Sequence, residues 1–305
     1  VIDSRRGLLS LAFGVTPAFA ATPPGATLAA SLPGFDDPAK RARAWARVMG
    51  TLDDETVWTL VRLHIYGYRN DGNLVPFFDV LTTTAATWEP IGEARYRMRT
   101  HETGIVFRFD ANEPLERWQN PFTGETRRVF HHKAGPFEAT IGPDGLEPGP
   151  QITMRPRPMT ISAIEDTVYF TSQSAFKFPT PFPPNEFPAA PPGDTLYLDS
   201  HFTFTVKRAA LLDEARANVP RGIMLNNLFP FSPWMGVGGI AGKTYGRGVG
   251  RKLLNEAALP NHVRAANERF APELFDRARW TERHNETAAL KKFLADENKA
   301  PEKTP

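Results

Sequence analysis

Residues 196–207 alternate without a slip. Leu196, Leu198, Phe202, Phe204 and Val206 fall on one side, and Tyr197, Asp199, His201, Thr203 and Thr205 on the other. A period of two marks a strand with one buried face, because a helix would scatter the same apolar set around its axis. Residues 56–69 read the same way. Val57, Val61, Leu63 and Ile65 share one parity, and Trp58, Leu60, Arg62, His64, Tyr66 and Tyr68 share the other. Asn70-Asp71-Gly72 supplies a turn and residues 74–84 return as the second strand of a hairpin.

The pattern continues along the chain. Residues 94–101 and 105–110 read as a second hairpin turning at His101-Glu102-Thr103-Gly104, followed by strands at 126–133, 137–141, 159–163 and 167–178. Helical spacing occurs at 36–50, where Asp37 and Pro38 open a helix and Gly50 can close it, and again at 256–270 and 285–297. Residues 179–193 form a proline-rich loop, and glycines crowd 236–250 as sites of close backbone approach or bulges. With 29 prolines and 23 glycines in 305 residues, many short strands joined by turns are favoured over a helical bundle. The fold expected is mostly β. It is a single antiparallel β-barrel-like domain over 36–280 with peripheral helices, then a charged C-terminal helix and tail over 281–305. Barrel closure would remove exposed sheet edges.

Ser4-Arg5-Arg6-Gly7-Leu8-Leu9 is a twin-arginine pattern, followed by a short apolar run and the small-x-small sequence Ala18-Phe19-Ala20. This reads as an export signal over 1–20 and a flexible arm over 21–35, which places the protein in the periplasm. The apolar run is shorter than the roughly 20 residues a membrane-spanning helix needs, so stable membrane insertion is not expected. A net charge of +2 gives no electrostatic reason to expect nucleic acid as a partner. The absence of cysteine excludes thiol nucleophiles, iron–sulfur clusters and cysteine-based zinc sites.

Two motifs fail on context. The run from Gly236 to Thr244 has Val237 where a phosphate-binding loop needs its first glycine, and Ser174-Ala175-Phe176-Lys177 lies in a strand and not at a helix start. The chemistry therefore rests on histidines. His64, His101, His132 and His201 lie in or beside expected strands, with Tyr66, Glu102 and Asp199 near them. Histidine beside a carboxylate or tyrosine moves protons at neutral pH. These seven are the candidate catalytic set, and at least two of the histidines are expected to line one cavity. Tyr68, Trp118, Phe204 and Trp234 are candidate walls for an apolar or aromatic small molecule. No metal-ligand spacing and no cofactor motif occurs. The function expected is small-molecule binding, with a cofactor-independent lyase, isomerase or hydrolase reaction by acid–base chemistry. The alternative is a non-catalytic carrier of lipocalin type. Nothing in the pattern bears on oligomeric state.

Several motifs resemble one bacterial family. They are Gly67-Tyr68-Arg69-Asn70-Asp71-Gly72, the run Trp118-Gln119-Asn120-Pro121-Phe122-Thr123-Gly124-Glu125 with His132 and Gly135-Pro136 after it, Ser232-Pro233-Trp234-Met235, the glycines leading to Lys243, and Leu259-Pro260. Together they resemble the family catalogued as domain of unknown function 1838, over most of residues 36–280. The resemblance implies one mostly-β domain and export. It carries no catalytic set to transfer.

Overall fold

A computed structural model of the chain describes residues 32–70, 72–92, 94–147, 159–183, 185–281 and 284–299. The expected export signal and most of the arm lie outside the described residues. Helix α1 (Pro38–Met49) comes first, its amides at Ala39 and Lys40 capped by the Asp37 carboxylate. Strands β1 (Val57–Arg69), β2 (Leu74–Gly92) and β3 (Arg95–Phe107) follow, then the small ribbon β4 (Arg117–Gln119) and β5 (Thr126–Arg128). Next come β6 (His132–Gly142), β7 (Gly145–Glu147), β8 (Thr160–Ile164), β9 (Thr167–Pro179) and β10 (Thr195–Lys207). Helix α2 (Arg208–Leu212) leads to β11 (Gly222–Phe229) and β12 (Gly242–Leu253), and the chain closes with α3 (Asn261–Phe270) and α4 (Glu286–Lys299).

Ten strands form one antiparallel sheet in the order β7-β6-β3-β2-β1-β12-β11-β10-β9-β8. Two five-stranded meanders thus meet at the β1–β12 seam. The sheet curls into an open half-barrel, which corrects the expectation of a closed or nearly closed barrel. Among the described residues no ladder joins edge strands β7 and β8. Helix α1 occupies that side: Arg41 donates to the Pro143 carbonyl at 3.4 Å, and Trp45 stacks on Phe170 of β9 at 5.2 Å. A helix wedged between short edges guards them as closure would.

Three further expectations change, and the expected stop at Gly50 holds. Strand β3 runs straight through His101–Gly104, where a turn was expected, and Gly104 pairs with Thr82 on one side and His132 on the other. A Cβ on Gly104 would sit 3.1–3.2 Å from Val80 and His132, so this glycine serves tight packing and makes no turn. Gly50 closes α1 as expected, its N–H bonding the Ala46 carbonyl, with φ −132 in place of the left-handed conformation. Trp88 lies where its side chain would be. The glycine-rich run becomes β12 at the centre of the sheet, with Gly246, Gly248 and Gly250 making room for Asn227, Leu63 and Leu60. Pro260 limits the expected 256–270 helix to α3.

Both faces of the sheet are covered. The larger core lies on the concave side and takes in α1, the β4–β5 ribbon and α4 through Leu290 and Leu294. The second core lies under α3 and gathers Trp58, Leu81, Ile105, Phe107, Val263 and Trp280. Asn267 of α3, fully buried, bonds Thr103 at 2.5 Å and Thr83 at 3.2 Å, fixing the helix to β2 and β3. Helix α4 packs into the larger core through Leu290, Leu294 and Phe293.

Candidate functional site

The β1–β2 hairpin places the most exposed of the histidine–carboxylate pairs. Its register sets His64 opposite Asp79. A bulge between Ile65 and Tyr66 puts Phe77 and Phe78 both into the concave core and leaves Asp79 on the other face, beside His64. Asp79 is fully buried and sits 2.8 Å from His64 Nδ1, while the His64 side chain is 33% exposed. Asp79 also accepts the Asp110 N–H at 3.1 Å and lies 3.5 Å from Arg62 Nε. Burial pushes the Asp79 carboxyl above its usual range, and His64, Arg62 and the Asp110 amide hold it partly back.

The loop after β3 walls this pair. Arg62 donates to the Ala111 carbonyl at 2.8 Å and to the Asn112 side chain at 2.6 Å. Phe109 packs on the His64 ring at 5.2 Å and edge-on against Tyr66 at 5.4 Å. His262, at the start of α3, packs against Phe107, and burial with the nearby Arg62 charge lowers its pKa. An imidazole whose Nδ1 is held by a carboxylate presents Nε2 as the proton-transfer atom.

His132 makes a different arrangement. Its Nδ1 bonds Glu286 at the first turn of α4, and its Nε2 lies 3.4 Å from Glu102 of β3. Both carboxylates are almost wholly buried and His132 is 12% exposed. Burial works against the His132 charge, but Glu286 and Glu102 outweigh it and push its pKa up to about 10. Burial raises Glu102, with His132 opposing. A histidine charged through the physiological range is a poor proton shuttle. This group acts as an ion cluster that pins α4 to the sheet.

The remaining expected residues disperse. His101 is buried in the second core against Trp280 at 5.7 Å, with Nδ1 unpartnered, and burial lowers its pKa. His201 is exposed on β10 and Asp199 half-buried on the same strand. His132 lies on the far side of the sheet from His64 and His101, and the ladders set His101 level with Trp58, six residues along β1 from His64 and roughly 20 Å away at strand rise, so these three line no common cavity. None of the three main pockets includes any of the four histidines. The reason is the pleat. His101 and Glu102 are neighbours in β3 and therefore point to opposite faces.

Of the expected ligand walls, Trp118, Phe204 and Trp234 are buried and pack on other rings, Trp118 against Phe77 at 5.0 Å and Trp234 at 5.7 Å. The β4–β5 ribbon thereby fills the concave face, and the cavity beside Phe182 and Leu290 is about 30 Å³, room for one water. Tyr68 is exposed. Among the described residues no group of three or more His, Asp or Glu side chains is placed to hold a metal ion. No described helix is long and apolar enough to cross a membrane.

Sequence reasoning missed Asp79, Arg62, Phe109, His262 and Glu286. Asp79 had a signal: it is the one charge within Leu74–Thr84, and a turn at residues 70–73 pairs it with His64. Glu286 had none, being 154 residues from His132.

No curated protein is matched by this sequence. A family profile described as "Protein of unknown function (DUF1838)" matches residues 55–294, from the start of the first hairpin into α4. That span includes β1 through α3 and both histidine–carboxylate groups, and the chain belongs to the DUF1838 family.

Proposed function

We propose that the protein acts on a small molecule by general acid–base chemistry, with His64 as the proton-transfer group and Asp79 as its positioning residue. One observation carries this reading: the half-exposed imidazole has its Nδ1 held at 2.8 Å by a fully buried carboxylate. In such a pair the carboxylate fixes the tautomer and stabilises the imidazolium formed when Nε2 takes a proton. Phe109 and Tyr66 beside the ring suit an aromatic or apolar substrate, and Arg62 offers a cation to developing negative charge. Proton abstraction or activated-water attack follows from these parts, so the reaction class is a lyase, isomerase or hydrolase step. The twin-arginine pattern and Ala18-Phe19-Ala20 support export to the periplasm, to be checked by N-terminal sequencing of the secreted protein.

The site is tested by its reactivity. Acylation with diethyl pyrocarbonate, followed residue by residue by mass spectrometry, is expected to modify His64 faster than the more exposed His201, and Asp79→Asn should remove the difference. Equal rates at His64 and His201 in the native protein would reject the dyad as an activated base. With a substrate in hand, His64→Gln should lower turnover about a hundredfold or more with the fold retained.

A further inference from the structure

A second polar centre lies at the far end of the same sheet. Arg47 of α1, Arg221 just before β11 and Lys252 of β12 are 2%, 6% and 8% exposed. Lys252 Nζ donates to the Arg47 and Gly50 carbonyls, each at 2.8 Å, at the last turn of α1. Arg221 lies over the Phe204 ring at 4.7 Å and reaches Thr59 Oγ1 at 3.3 Å, while its Nε has no partner. Carbonyls and a ring face solvate these heads partially, but they do not neutralise them. The carboxylates of Asp213 and Glu214 act on Arg47 alone. Burial and the neighbouring cations lower Lys252 to about 6, and burial lowers Arg221 to about 9. At neutral pH Lys252 is therefore largely uncharged, and an anion beside it would favour its protonated form, whereas Arg221 stays charged with no counter-charge, which is costly unless a ligand supplies one.

A cavity of about 510 Å³ opens beside this centre. Arg221, Arg251, Lys252 and Lys207 line it together with Thr167 and Thr205, and among the described residues no acid does. Of the four cations, Lys207 is matched by Asp166 at 2.7 Å. The contrast with the cavity lined by Asp54, Glu89, Arg97 and Arg277 is direct, because there each acid has an arginine on hand. The cationic pocket also has an apolar wall: Val206, Leu253 and Leu254 border it, and Leu254 is 84% exposed. A leucine so bare beside a charged pocket fits a ligand with an apolar body.

We infer that this pocket binds an organic acid, its oxyanion group held by Arg221, Lys252 and Arg251 and its apolar part laid against Leu253 and Leu254. The site is separate from the His64–Asp79 pair and does not depend on the acid–base reading. Lys252 stands five residues along β12 from Arg247, the partner of His64, a separation of roughly 16 Å at strand rise.

Thermal unfolding of the full chain tests it. Sodium hexanoate, inorganic phosphate and sodium chloride are compared at equal ionic strength and neutral pH, with hexanol as the uncharged control. Hexanoate should raise Tm over chloride by about 3–5 °C when well above its dissociation constant, since a ligand of the native state stabilises by mass action. Hexanol should not. A phosphate shift as large as that of hexanoate would support the oxyanion site and assign it to a phosphate ester, with the apolar wall secondary. Lys252→Met should abolish the shift. If that variant does not fold, Arg251→Ala carries the test, because Arg251 is an exposed rim residue, and it should reduce the shift by half or more. No anion-dependent shift in the native protein, or an undiminished shift in Arg251→Ala, would overturn the proposal.

Discussion

The two histidine–carboxylate groups use the same chemistry to opposite ends. At β1–β2 one buried aspartate meets a histidine that reaches solvent, and Arg62 lends the aspartate a cation. At β3–β6–α4 two buried glutamates enclose a histidine that hardly reaches solvent. The difference lies in charge balance and access. One carboxylate per imidazole, with the ring reaching solvent, is the arrangement that the proposed proton-transfer role of His64 rests on. Two carboxylates per imidazole, both desolvated, hold the proton so firmly that the group becomes structural.

The largest expected effect separates the two on stability. His132→Leu removes the buried cation that Glu102 and Glu286 share and should cost about 3–5 kcal/mol, as the loss of one member of a buried ion pair does. His64→Leu, at a half-exposed ring, should cost about 1 kcal/mol or less. Urea unfolding of both variants measures the contrast, and equal losses would erase it.

The next effect is in pH. Folded His132 stays protonated to about 10, against 6.5 for an ordinary histidine, so its stabilisation is complete below 6.5 and is lost as pH rises through 10. Lys252 is depressed to about 6 from 10.5, so over the same window the unfolded chain holds the extra proton and stability rises with pH. The two slopes oppose. Wild type should show a shallow profile from pH 6.5 to 10, whereas Lys252→Met should lose stability steadily across it. The groups in play are Glu102 and Glu286 with His284 near His132, and Arg221 and Arg47 near Lys252. A Lys252→Met profile that still rises with pH would show that His132 does not hold its proton.

A subtler effect concerns tautomers. With Asp79 in place, neutral His64 should carry its proton on Nδ1. Asp79→Asn should mix the two forms, visible in the ¹⁵N chemical shifts of the ring. An unchanged spectrum would remove Asp79 from its positioning role.

The smallest effects bound the comparison. Gly124 has φ +76 with nothing within 4 Å of an added Cβ, so Gly124→Val should cost about 1 kcal/mol from backbone strain alone. Binding and reactivity per folded molecule should persist. His201→Gln, on the exposed face of β10, should change stability by no more than about 0.5 kcal/mol. Calorimetry of both variants checks these limits.

Much of this was legible in the chain. The alternation of 196–207 gave β10 and its buried face, and the Asn70-Asp71-Gly72 turn gave the β1–β2 hairpin. The Asn120–Glu125 turn also reads directly. Asn120 accepts the Phe122 amide on its side chain and the Gly124 amide on its carbonyl, as expected of Asn and Gly in a turn. Only the structure adds that Asn120 Nδ2 reaches the Met235 carbonyl at 2.8 Å and ties the ribbon to the concave core.

By itself, then, the sequence determined which segments become strands, where local turns fall and which residues share a face, because these depend on residues a few positions apart. Tertiary structure alone decided which face of each strand meets which core, that the sheet stops short of closure, that Glu286 meets His132 across 154 residues and that Lys252 meets the end of α1 across about 200. Those outcomes rest on long-range packing and desolvation. A strand pattern has two faces and no label saying which is inward, and the cost of a buried charge exists only once the fold has removed its water.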